Sequence, residues 1–90
     1  MVRQLEIHYS KQAVKFINSS DRPTRMRIKN GIEGLTLTPP IGDIKALQGF
    51  SDDRLRLRIG KYRIVYKYTV ERTVDILNII EIGSRGDIYK

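Results

Sequence analysis

From Arg54 to Ile59 the chain alternates without a break, Arg-Leu-Arg-Leu-Arg-Ile. A period of two is the mark of a strand with one buried and one wet face. Gly60-Lys61 follows, a two-residue turn with glycine first, which suits a type II′ hairpin. That turn sets the register of the next strand: Ile59 opposite Tyr62, Arg58 opposite Arg63, Leu57 opposite Ile64. Directly opposed residues share a face. Arg54, Arg56, Arg58 and Arg63 are therefore expected together on one side, with Val65 and Lys67 beside them. Leu55, Leu57, Ile64 and Tyr66 are expected on the other side, in the core.

The same patterning yields the remaining elements. Leu5 to Tyr9 alternates and predicts a short first strand. Ser10 is a good cap for a short helix whose apolar face is Ala13, Val14, Phe16 and Ile17, and Asn18-Ser19-Ser20 ends it. Asp21 caps a second helix with Pro23 in its first turn, and Ile28, Ile32 and Leu35 make its buried stripe. Gly31 and Gly34 weaken that helix, and Thr38-Pro39-Pro40 stops the segment. Residues 41 to 53 read as a connector pinned by Leu47 and Phe50. The hairpin runs to Thr69, Val70-Glu71-Arg72 turns the chain, and Val74 to Ile82 is apolar enough for a central strand ended by Gly83. The order β-α-α-β-β-β predicts an α+β fold: an antiparallel meander with a helical hairpin on one face and the arginine row on the other.

Composition narrows the function classes. Ninety residues make one domain, spanning 1–90, that buries a little over half of its unfolded surface. Seventeen lysines and arginines against ten acidic residues give +7, which favours a polyanionic partner. Cysteine is absent, which removes disulfides, thiolate ligands and a cysteine nucleophile. The lone histidine, His8, excludes a histidine cluster and reads as a surface or half-buried residue. The scattered acids suggest no metal site. No apolar run resembles a signal peptide or a membrane span, so a cytoplasmic protein without a membrane partner is expected.

Four stretches together resemble the RelE/ParE toxin superfamily. They are the strand–helix–helix opening, Lys45-x-Leu47-x-Gly49, Arg54 through Tyr66, and Ile82-Gly83-Ser84-Arg85-x-Asp87-Ile88-Tyr89. The resemblance covers nearly the whole chain, and its RelE branch is the nearer. It implies a RelE-like toxin domain, held inactive by a cognate antitoxin, that cuts messenger RNA in the ribosomal A site without a cofactor. Carried over residue by residue, it implies functional positions at Arg54, Arg56, Arg63, Arg85 and Tyr89. The well-studied RelE type has lysines at the places of Arg54 and Arg56, and many relatives have histidine at Ser84. Both departures remove a proton-transfer group.

RNA carries its own nucleophile, the 2′-hydroxyl. Cleavage then needs a base, an acid and positive charge on the phosphorane. Arginine supplies the charge and bidentate phosphate contacts but cannot act as the base at neutral pH. Arg56, Arg63 and Arg85 are thus assigned to the scissile phosphate. Tyr89 is assigned to proton transfer or base stacking, with Asp87 and Glu81 in reserve. Arg54, Arg58, Lys45 and Lys61 are candidate contacts to the RNA backbone, messenger or 16S ribosomal. Tyr62, Tyr66 and Tyr68 read as core. Two alternatives stand beside the nuclease: a ParE-like inhibitor of DNA gyrase, and a weakly active fold that binds only its antitoxin.

Overall fold

The computed structural model describes residues 4–47 and 53–84, and both capped helices form where the sequence places them. Ser10 accepts a hydrogen bond from the Ala13 amide at 3.1 Å and opens α1 (Lys11–Ser19). Its hydroxyl also donates to the Ile80 carbonyl at 2.7 Å, so one side chain starts the helix and ties it to the sheet. Asp21 accepts from the Thr24 amide at 3.0 Å and opens α2 (Arg22–Gly34). The Thr24 hydroxyl first, and then that amide bond, hold the Asp21 carboxyl below its ordinary range.

Five strands form one sheet: β1 (Gln4–Tyr9), β2 (Asp43–Ala46), β3 (Leu55–Ile59), β4 (Tyr62–Glu71) and β5 (Val74–Ser84). Their spatial order is β1-β5-β4-β3-β2. β2 through β5 make the antiparallel meander, and β1 joins its β5 edge in parallel. The hairpin register is the expected one, Ile59 to Tyr62, Arg58 to Arg63 and Leu57 to Ile64. Gly60 sits at φ +57°, the left-handed conformation that a glycine-first turn demands.

Both helices lie on the same face of the sheet. Ala13, Ile28, Ile32 and Leu35 meet Leu57, Ile64, Tyr66, Leu77, Ile79 and Ile82 in the core. Gly31, which costs the helix some propensity, has its reason here. A methyl group at that position would collide with Ile59 and Leu57, so glycine lets α2 approach β3 closely.

Three features differ from the sequence expectation. The connector contains a strand, β2, whose Ile44 packs on the core cluster while its neighbours stay exposed. The second turn falls at Arg72-Thr73, because Val70 and Glu71 still pair with Asp75 and Val74. β5 continues through Gly83 to Ser84 and carries a bulge where the register passes from Val65–Glu81 to Tyr66–Ile79. The bulge shifts the alternation. Leu77 and Ile79 face the helices before it and Ile82 does so after it, which is why this strand reads as almost continuously apolar. Phe50 lies outside the described residues, and Leu47 is half-buried.

Candidate nucleic-acid interface

The sheet face that the helices leave uncovered is laid out by the strand registers. In the first row across the strands stand Asp43, Arg58, Arg63 and Gly83. The second row holds Lys45, Arg56, Val65 and Glu81. The third holds Lys67, Asn78 and His8, with Arg54 on the β3 side one residue before the Leu55–Tyr66 pair. All four arginines of the hairpin thus share one face with Lys45 and Lys67, and arginine directly opposes arginine at Arg58–Arg63. Such a pair is repulsive by itself. Asp43, the other cross-strand neighbour of Arg58, offsets part of that repulsion.

Arg56 has an unusual setting for a cation. It is 6% exposed, and Val65 beside it is 2% exposed. Its Nη2 donates to Oδ1 of Asp43 at 3.3 Å, a carboxylate that is itself half in solvent. Among the described residues its buried Nε has no hydrogen-bond partner. A guanidinium held this way is rigid and incompletely neutralised, the condition in which a phosphate oxygen gains most from meeting it. Arg63 is half-buried in the next strand, one row along. Arg58 is exposed, as are Lys45 and Lys61. Lys61 lies in the turn with its ammonium 5.4 Å from the centre of the Tyr62 ring, and the Arg27 guanidinium reaches the same turn from α2.

Arg85 and Tyr89 lie outside the described residues. The strand leading toward them is firmly held. Beyond the Tyr9–Ile79 pair β1 ends, and the Gln12 side chain takes its place. Its Nε2 donates to the Ile82 carbonyl at 2.6 Å, and its Oε1 accepts from the Ile82 amide at 2.8 Å. Nothing in a polar residue on a helix surface announces this role. Asp43 was equally silent, being one acid in a segment read as a connector. Glu81, the reserve carboxylate, is half-buried on the open face directly opposite Val65.

The tyrosines divide. Tyr66 is fully buried and Tyr62 stacks edge-on against Phe16, as core residues should. Tyr68 is 40% exposed, although its hydroxyl donates to the Leu35 carbonyl at 2.7 Å. His8 is exposed on the open face, hydrogen-bonded to Glu6. Among the described residues no helix is long and apolar enough to cross a membrane.

The sequence model of a family described as "ParE toxin of type II toxin-antitoxin system, parDE" matches residues 3–89. Among curated proteins none matches. Similar solved structures include the archaeal RelE–RelB complex from Pyrococcus horikoshii OT3, at 28% identity and TM-score 0.68 over 97% of this chain and 99% of that one. The RelB–RelE antitoxin–toxin complex from Methanococcus jannaschii is similar at 27% identity and TM-score 0.64, over 91% and 94% of the two chains. The isolated RelE toxin of E. coli is similar at 25% identity and TM-score 0.63, over 98% and 92%. With a family match spanning nearly its whole length, the chain belongs to the ParE toxin family of type II toxin–antitoxin systems, within the RelE/ParE superfamily.

Proposed function

We propose that this toxin is a ribosome-dependent endoribonuclease that cuts messenger RNA through attack of the 2′-hydroxyl on the scissile phosphate. The observation that carries the reading is the uncovered sheet face, where Arg54, Arg56, Arg58 and Arg63 stand together with Lys45 and Lys67. Repulsion among these groups is relieved when a polyanion lies across them. In this reading Arg56 and Arg63 approach the scissile phosphate from adjacent strands, and Arg85 completes the set. Donors fixed before the reaction toward the charge of the phosphorane are worth about 3–4 kcal/mol each. Tyr89 exchanges the proton, or stacks on a base, and Arg54, Arg58, Lys45 and Lys61 hold the RNA backbone. The toxin acts in the cytoplasm, where messages are translated. A cognate antitoxin segment bearing acidic and aliphatic side chains would neutralise the basic face and block substrate at once.

The experiment is expression without antitoxin, followed by mapping of message breaks. Cuts at ribosome-occupied codons that leave a 2′,3′-cyclic phosphate are expected. A second reading, inhibition of DNA gyrase, is favoured by the ParE description of the matched family. Intact messages with accumulating gyrase-linked DNA breaks would establish it and remove the nuclease. Tyr89→Phe then refines the mechanism: a drop of about 10²-fold or more in single-turnover rate marks proton transfer. Wild-type behaviour of Phe with failure of Ala marks stacking.

A further inference from the structure

Beside the bulge of β5 the open face sinks into a concavity of about 330 Å3. Among the described residues its wall includes His8, Ser10, Arg54, Lys67, Asn78 and Ile80, none of them acidic. Register brings these side chains together from β1, β4 and β5 and from Arg54, the residue before β3. His8 pairs with Asn78, Asn78 pairs with Lys67, and Arg54 precedes the Leu55–Tyr66 pair. Three nitrogenous side chains of basic character thus surround one hollow. The sequence kept two of them, His8 and Lys67, out of any functional assignment.

The walls of the hollow are braced. Asn78 Nδ2 donates to Thr69 Oγ1 at 2.9 Å, so this amide serves as wall and not as a spare donor. Ser10 fixes the bulge from behind, its amide on the Ile79 carbonyl at 2.9 Å and its hydroxyl on the Ile80 carbonyl at 2.7 Å. Glu6 holds Nε2 of His8 at 3.1 Å and orients the ring. Glu6 lines the neighbouring hollow, together with His8, Glu71 and Arg72.

We infer that this concavity is a second phosphate subsite, holding the backbone phosphate of a nucleotide that flanks the one cut. Lys67 and Arg54 supply the charge, and the His8 ring, held by Glu6, bounds the subsite on the β1 side. The inference rests on the nuclease reading and extends it. Lys67 lies two residues beyond Val65 on β4, about 6–7 Å along the strand from the row of Arg56. That is about one nucleotide step of an extended single strand, so RNA running parallel to β4 meets the two sites in succession.

The probe is a short 2′-O-methyl RNA, which cannot be cut, made as a series with one phosphate at a time replaced by an uncharged methylphosphonate. Wild-type protein should bind with a salt-dependent affinity. Lys67→Ala should lower the log–log salt slope by about 0.7, the contribution of one single-strand phosphate. It should also abolish the penalty of the methylphosphonate at one flanking position, leaving the other positions as penalising as before. His8→Ala should weaken the same position, and Lys67→Arg should restore it. If folded Lys67→Ala, melting like wild type, keeps the full slope, or if its effect adds to every methylphosphonate equally, the subsite is refuted while message cleavage can still stand. Wild-type protein that neither binds this RNA nor cuts messages removes the nuclease reading and the subsite together.

Discussion

Arg56→Met separates the cost of the site to the fold from its use to the reaction. Arg56 is 6% exposed and holds a buried Nε without a partner among the described residues. An unsatisfied buried donor costs about 1–3 kcal/mol. The compensating contact to Asp43 is a 3.3 Å pair whose carboxylate is half in water, and pairs of that kind are worth about 0–1 kcal/mol. Methionine keeps an unbranched stem over Val65 and removes the buried charge, and Asp43 returns to solvent at little cost. The net expectation is a gain of about 1–2 kcal/mol, which in a domain of this size raises Tm by about 4–16 °C. Message cleavage should fall about 10²–10³-fold, as for loss of one preorganised donor. Thermal and urea melts of the isolated toxin, paired with single-turnover cleavage, read both quantities. Destabilisation by more than about 1 kcal/mol would falsify this account, because it would make Arg56 a structural tie between β3 and β2.

Other substitutions test other parts of the frame. Tyr66 is fully buried, its hydroxyl has no hydrogen-bond partner among the described residues, and burial, with Tyr68 nearby, pushes its pKa well above the ordinary value. Tyr66→Phe should therefore stabilise the fold by about 1 kcal/mol in urea melts at neutral pH. A raised phenol favours the folded state below the ordinary tyrosine value near 10, and that stability is lost as pH climbs further. The Phe variant should accordingly show a shallower fall in urea midpoint between about pH 9 and 11; an equal fall in both proteins would place the alkaline loss elsewhere. Gln12→Ala strips both hydrogen bonds from Ile82, so it should cost about 1–3 kcal/mol and speed hydrogen exchange at the Ile82 amide. Unchanged exchange would mean that this edge of β5 holds without the clamp. Gly60→Ala forces an L-residue to φ +57° and brings a methyl to 2.9 Å from the Arg27 guanidinium; a loss of about 1–2 kcal/mol is expected, and a neutral result would show that the turn relaxes.

The hairpin was legible because three independent signals agree there: alternation, a glycine-first turn and opposed arginines. Both helix starts were legible because a single polar cap precedes each apolar stripe. β2 was not, since a four-residue strand with one core-facing residue, Ile44, leaves no period to detect. The depth of Arg56 was also hidden. Alternation assigns a face, but burial on that face depends on what the neighbouring side chains do. His8 joined the basic face through the parallel pairing of β1 with β5, which no local pattern encodes.

The bulge in β5 acts as a phase shifter between the two halves of the protein. Ahead of it, odd-numbered residues such as Leu77 and Ile79 serve the core; behind it, that duty passes to Ile82, while Glu81 and Gly83 take the face of Val65 and Arg63. Removing Ile80 would restore simple alternation and still leave Leu77, Ile79 and Ile82 on the helix side, with Asn78, Glu81 and Gly83 on the other. The bulge is thus the one point in this strand where a residue of length is absorbed without exchanging the two faces. An insertion or deletion elsewhere in the strand that left the bulge in place would exchange them for every residue on one side of it.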